Sequence, residues 1–158
     1  MNVIMFMAMS LDGKTAKEDD SEDFLADKNW DTFKELAEKA GCFIVGRRTD
    51  EAVSAWEGYS FSDVNAKKIV VSRDGPVSSP SHALREAGDR EQVILAGGSR
   101  LNASFIDEGL VDEIIINIEP VLIGLGKGLL SGKAFERRLE LMDTKTLDHG
   151  IVQLRYRA

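Results

Sequence analysis

The chain has 158 residues, 43% of them apolar, with 27 acidic against 20 basic side chains and a formal net charge of −7. This length carries one domain with a real core, here 1–158, and the acidity excludes general nucleic-acid binding through a basic surface. No apolar run reaches membrane-span length, the N-terminus lacks a positively charged leader, and the single Cys42 excludes an internal disulfide, so a cytoplasmic protein is expected.

Residues 3–9 form a short apolar run closed by Ser10-Leu-Asp-Gly13, the pattern of a buried strand entering a turn. Residues 17–23 read as an acidic, solvated loop. Trp30, Phe33, Leu36, Ala37 and Ala40 recur at helical spacing, predicting a helix over 27–40 closed by Gly41. Buried strands are expected at 42–45, 67–72 and 92–96, and helices at 49–56 and 99–108, with one short helix inside 77–90. A β-branched strand follows at 111–118, then a glycine-rich loop over 121–132. Residues 136–146 and 150–157 pair as an antiparallel hairpin around Asp148-His-Gly150. Parallel-type strands alternating with helices predict an α/β fold: a three-layer α/β/α sandwich around a mixed, mostly parallel sheet, with a C-terminal antiparallel hairpin.

Chemistry collects at the strand ends. In Val93-Ile-Leu-Ala-Gly-Gly-Ser-Arg-Leu101 a buried strand runs into a Gly pair and a helix start, where free N–H groups attract phosphate. The same residues also fit an ordinary strand-to-helix turn. Gly46-Arg-Arg-Thr49 and Ser72-Arg73 end two further strands. Their guanidinium groups suit a ribose phosphate, or equally a solvated turn balancing nearby acids. Asp12 can orient a ligand, relay a proton or stabilise its own turn. Gly124-Leu-Gly-Lys-Gly128 is either a ligand contact or a plain turn, and it lacks P-loop spacing. Cys42 reads as a small buried hydrophobe. His82 and His149 sit far apart among turn-forming residues, which gives a metal site or a Ser-His-Asp triad little support.

In order along the chain stand Met9-Ser-Leu-Asp-Gly-Lys-Thr-Ala16, Ile44-Val-Gly-Arg-Arg-Thr49, Lys67-Lys-Ile-Val-Val-Ser-Arg73, Ile94-Leu-Ala-Gly-Gly-Ser99, Leu110-Val-Asp-Glu113, Pro120-Val-Leu-Ile-Gly-Leu-Gly126 and Gly150-Ile-Val-Gln-Leu-Arg-Tyr156. This set resembles the dihydrofolate reductase superfamily, most of all the RibD C-terminal type reductase domain of riboflavin biosynthesis and its stand-alone relatives. The resemblance implies NADPH as cofactor. By it, Gly46, Arg47, Arg48 and Thr49 approach the cofactor phosphates, and Ser72 and Arg73 lie near the adenosine ribose. Gly97, Gly98, Ser99, Arg100 and Leu101 cradle the pyrophosphate. Ser10, Asp12 and Gly13 border the nicotinamide and substrate, while Asp27, Trp30, Asp31 and Lys34 offer substrate contacts from the first helix.

The expected activity is hydride transfer to a C=N or C=O bond of a small heterocycle, of pyrimidine ribosylamine or pterin type. Asp12, or Asp31 on the first helix, is the expected acid. The alternative is a non-catalytic nucleotide- or pterin-binding module of the same fold. Two departures sustain it: Ala96 stands where riboflavin-pathway reductases carry a Glu, and the first helix offers no clear basic anchor. The resemblance also implies a homodimer, sought at strand 111–118 and the C-terminal hairpin, because an exposed strand edge needs a partner or a cover. A small-molecule substrate is expected, with neither nucleic acid nor membrane as partner.

Overall fold

The apolar runs fold where continuous hydrophobicity leaves a strand no solvent face. The computed structural model describes residues 1–134 and 136–158. Its strands are Asn2–Ser10 (β1), Lys14–Ala16 (β2), Cys42–Gly46 (β3), Lys67–Val71 (β4), Gln92–Leu95 (β5), Glu113–Glu119 (β6), Lys127–Gly128 (β7), Glu140–Thr146 (β8) and Val152–Arg157 (β9). Its α-helices are Asp27–Ala40 (α1), Arg47–Ser54 (α2), Pro80–Ala87 (α3) and Ser99–Asp107 (α4). No helix among the described residues is long and apolar enough to cross a membrane.

Seven strands form one sheet in the order β4-β3-β5-β1-β6-β9-β8. The first five run parallel, and β9 and β8 are antiparallel additions at one edge. Because successive side chains point to opposite faces, β1 feeds two cores. Val3 and Met5 pack with Ala83 and Ala87 of α3 and Phe105 and Ile106 of α4. Ile4 and Phe6 pack with Phe33 and Ala37 of α1 and Val53 of α2. This is the expected three-layer α/β/α sandwich with its antiparallel hairpin.

Several boundaries move for physical reasons. The second helix starts at Arg47, not at residue 49, because Gly46 is already its extended N-cap and Arg is a good helix former. Arg47 and Arg48 therefore occupy the first turn of α2. Val111 is buried by packing but lies outside the ladder, so β6 begins at Glu113. β6 runs between β1 and β9 and presents no free edge; the outer strand is β8, every residue of which is exposed. β8 begins at Glu140 instead of residue 136. The 121–132 segment contains β7, which pairs with β2 in a ribbon too short for periodicity to reveal. His82 lies in α3, facing Glu86 one turn on, and not in a turn.

The start of α1 is held from across the sheet. Its N-cap residue, Ala26, has no capping side chain. Instead Glu119, buried at the end of β6, accepts the Ala26 N–H and the Asn29 Nδ2 amide, both at 2.6 Å. Asn29 Oδ1 accepts from Asn117 Nδ2 at 2.9 Å, and Asn117 Oδ1 from Gln153 Nε2 at 2.8 Å. Each buried polar group leans on the next, so removing one leaves others unpaired. Glu119→Ala is expected to lower stability by about 1.5–3 kcal/mol, read as a lower urea midpoint. An unchanged midpoint would show that Glu119 does not hold α1 in place.

Candidate active site

β3 and β5 are neighbours in the sheet, and their C-terminal ends turn into α2 and α4 through Gly46 and through Gly97 and Gly98. The Gly46 N–H donates to the Gly97 carbonyl at 2.7 Å. A Cβ at residue 46 would lie 3.5 Å from the Gly98 nitrogen. A Cβ at residue 98 would come within 2.8 Å of Thr49 Oγ1, closer than real Cβ atoms approach, so Thr49 would have to shift to admit one. Gly97 has φ +90° and its peptide bond to Gly98 is cis. Neither helix receives a side-chain cap at its N-terminus. Two sets of unpaired N–H groups, each at the positive end of a helix dipole, therefore open side by side at one edge of the sheet.

The sheet also brings the arginines to this edge. Gly46 pairs in register with Val71, so the residues that follow, Arg47 and Arg48 on one strand and Ser72 and Arg73 on the other, leave neighbouring strand ends. All three guanidinium groups belong to exposed residues. Arg47 pairs with Glu51 at 3.0 Å, and Arg48 stands 4.0 Å from Asp20. Arg100 is exposed on the first turn of α4, Ser99 Oγ is 2.9 Å from Ser131 Oγ, and Leu101 packs into the core below.

Beside the glycine edge lies a cavity of about 430 Å³. β1 contributes Phe6, Met7 and Ala8, Ala96 follows β5, and α2 adds Thr49 and Val53. The opposite wall is aromatic. Trp30 stacks on Phe61 at 5.7 Å and 29° and meets Tyr59 at 5.3 Å, with Trp56 beyond Tyr59. The Tyr59 hydroxyl donates to Asp27, which holds its pKa above the ordinary value. Glu22 closes the cavity from the loop before α1. That loop is fastened by ion pairs of Asp20 with Lys127 and of Lys17 with Asp23. Burial alone pushes the Glu22 carboxyl up from 4.5 to about 7.

Some expected roles move. Asp12 does not line the cavity. Its carboxylate accepts from Ser10 Oγ at 2.5 Å and from the Ile123 and Gly124 amides at 3.1 and 2.7 Å. These bonds favour the anion, first of all the one from Ser10, and lower its pKa to about 2. Asp12 is thus a brace between two loops, and at neutral pH it has no proton to give. Ser10 is fully buried and also accepts the Lys14 N–H at 2.9 Å, so it belongs to the same brace. Asp31 is exposed on α1 outside the cavity, and Lys34 faces Glu38 at 3.9 Å. Of the first-helix residues expected at the substrate, Asp27 and Trp30 do line the cavity. The Gly124-to-Gly128 segment packs on β2, where a Cβ at Gly126 would meet the Ala16 carbonyl at 2.5 Å. Gly126 serves chain packing, and Gly124, at φ +79°, serves the turn. Cys42 is buried, and burial raises its thiol pKa. Glu22 went unread in the sequence because it stands in an acidic run; the only signal is the apolar Phe24-Leu25-Ala26 that follows.

A model of the RibD C-terminal domain family matches residues 1–153. The uncharacterized protein YwjB of Bacillus subtilis is 27% identical over 97% of this chain and 95% of its own length. Among solved structures, a Shewanella sp. PV-4 protein named for riboflavin biosynthesis superposes with a TM-score of 0.79 at 23% identity, covering 100% of this chain and 99% of the other. RibD of Acinetobacter baumannii superposes with a TM-score of 0.75 at 20% identity, over 99% of this chain and 57% of that longer one.

Glu22 sets a pH dependence that can be measured. Its folded pKa is raised, so the fold favours the protonated form. The stability it contributes is full below about 4.5 and is lost as pH rises through about 7. Urea midpoints measured from pH 4.5 to 8 should fall along this limb, and Glu22→Gln should flatten it. A limb of the same slope in the variant would assign the titration to another group.

Proposed function

The chain belongs to the RibD C-terminal domain family, and from that premise we propose that it is an NADPH-dependent reductase acting on a C=N or C=O bond of a small heterocycle. One observation carries the reading: the glycine edge. Two uncapped helix starts, spaced by Gly46 and Gly98 and flanked by Thr49, present converging N–H groups next to an aromatic cavity. That donor set fits a diphosphate, because Gly46, Gly97 and Gly98 put no side chain where the anion must approach the backbone. Thr49 lies against Gly98 and also lines the cavity, so a dinucleotide in the cradle would adjoin the substrate space. Arg47, Arg48 and Arg73 supply permanent charge for the additional ribose phosphate of NADPH.

Bound NADPH would supply the hydride, and the chain supplies orientation, exclusion of water and a proton. The Trp30, Tyr59 and Phe61 wall gives a planar substrate a surface to lie on. Glu22 takes the acid role expected earlier of Asp12. Near pH 7 a good part of its carboxyl is protonated, which is where a general acid works best. As hydride reaches carbon, the Glu22 proton passes to the substrate nitrogen or oxygen, and the carboxylate recovers a proton from solvent. The binding-module alternative keeps the cradle but has no use for a carboxylic acid that burial holds protonated at the cavity wall. The exposed apolar Leu141 and Met142 on edge strand β8 favour pairing of two copies there, giving the homodimer.

Calorimetry should show NADPH binding with preference over NADH. Arg73→Ala should weaken NADPH by about tenfold to a hundredfold, a loss of roughly 1.5–3 kcal/mol, and leave NADH nearly unchanged. Equal losses for both would remove the phosphate role, and no binding of either would sink the reductase reading. With a turned-over substrate, Glu22→Gln should lower kcat/KM by about 10²–10⁴-fold and abolish the alkaline limb of the rate profile. An unaltered profile would return the proton donor to solvent.

A further inference from the structure

The glycine edge does not form the start of α4 alone. Residues 129–133, which leave the β2–β7 ribbon after Gly128, are fastened alongside it. Leu129 and Leu130 pack against the core cluster that holds Phe105 and Ile106 of α4. Polar contacts tie the segment to the helix. The Leu129 carbonyl accepts from Asn102 Nδ2 at 3.5 Å, the Ser131 N–H donates to the Ser99 carbonyl at 3.3 Å, and Lys133 Nζ donates to Asp107 at 2.7 Å. The Ser131 hydroxyl is thereby set 2.9 Å from that of Ser99, and both serines are half-buried. One polar atom here lacks a partner. Asn102 is fully buried, and its amide stands 3.9 Å from where a Cβ of Gly97 would be. Its Oδ1 accepts no hydrogen bond among the described residues. A buried acceptor of this kind is expected where a ligand, or water held by one, completes the hydrogen bonding.

Resting on the reductase reading, we propose that Ser131 is a positioning residue of the coenzyme site. Its hydroxyl donates to Ser99 Oγ and so turns the Ser99 proton toward the diphosphate at the start of α4. A serine hydroxyl carries one proton and two lone pairs. With no anion bound, either serine can donate to the other. An anion at the uncapped amides removes that freedom, because it only accepts. Ser99, in the first turn of α4, gives its proton to the anion, and a Ser99 lone pair takes the Ser131 proton. A hydroxyl that accepts a bond donates a stronger one, and a charged acceptor strengthens it further. The Ser131 N–H bond to the Ser99 carbonyl fixes the spacing beforehand, so little ordering is left for the anion to impose. Without the Ser131 hydroxyl, the Ser99 proton turns freely and is shared with solvent. Ser131 thus acts through Ser99 and touches no phosphate itself.

Calorimetry with NADPH, inorganic pyrophosphate and adenosine 2′-phosphate separates this role from that of a plain clasp. Ser131→Ala should raise the Kd of NADPH and of pyrophosphate by the same factor, about threefold to tenfold. Adenosine 2′-phosphate has no diphosphate and should bind as before. Ser131→Thr keeps the hydroxyl and should restore the affinity of the unaltered protein. In a Ser99→Ala background, Ser131→Ala should cost nothing more, since the path runs through Ser99. A clasp that merely holds the fold would instead lower the urea midpoint and weaken all three ligands alike. That outcome, additive losses in the double variant, or a pyrophosphate Kd indifferent to Ser131→Ala would overturn the proposal. Pyrophosphate bound with the expected pattern, but NADPH not bound, would count against the reductase reading alone. Absence of binding by both would overturn the two together.

Discussion

The contact between two strand ends governs the rest of the molecule. The Gly46 N–H donates to the Gly97 carbonyl where β3 and β5 leave the sheet, and Gly98 sits so close to Thr49 that a methyl group there would have to displace its hydroxyl. A Cβ at Gly98 would crowd the Thr49 hydroxyl and one at Gly97 the Met7 side chain, whereas one at Gly46 would make only an ordinary contact. With glycine there, α2 and α4 begin next to one another, and their unpaired amides face the same space. In a protein with a net charge of −7, this is a local reversal: backbone dipoles and three arginines make one edge attractive to anions, while the molecule as a whole repels them. Long-range charge and the local donor set therefore act on different scales, and the local set decides what docks.

The cavity depends on a second constraint, the placement of α1. That helix carries Asn29, Trp30 and Phe33 into the wall, yet nothing in its own N-cap residue holds it. Glu119 does so from β6, and the chain of amides through Asn117 reaches Gln153 on β9. The antiparallel strand β9 is thus tied through buried hydrogen bonds to the cavity wall. Such a network favours one arrangement of α1 over a slid or rotated one, because any slip strands several polar groups at once. Precision at Trp30 is bought far from Trp30.

Much of this was legible in the residues. The five parallel strands announce themselves as continuous apolar runs, and α1 through Trp30, Phe33 and Ala37 at helical spacing. The glycine edge was readable only in part, because a glycine pair after a buried strand also fits an ordinary strand-to-helix turn. Other parts were hidden for definite reasons. β2 and β7 are too short for any period. Val111 looks like strand because it is β-branched and buried, but packing alone buries it. The polar network was invisible because Glu119 and Gln153 look like surface residues until the sheet closes over them. Arg47 and Arg48, read as strand-end residues, stand in the first turn of α2, because Gly46 is already that helix's N-cap.

Asp12 and Glu22 show why the acid could not be chosen from residue type. Both are carboxylates in loops flanking the sheet edge, and Asp12 follows a strand end, which made it the stronger sequence candidate. What separates them is what surrounds the charged form. Asp12 receives a hydroxyl and two amides, each of which stabilises the anion, so it keeps its charge to about pH 2 and spends it fastening two loops. Glu22 is desolvated without compensating donors, so its neutral form survives to about pH 7. Two groups of nearly equal intrinsic acidity are driven apart, Asp12 downward by hydrogen bonds and Glu22 upward by burial. A carboxylate that keeps a proton near neutral pH is therefore one with fewer partners for its charge, and of these two it is Glu22, on the cavity wall.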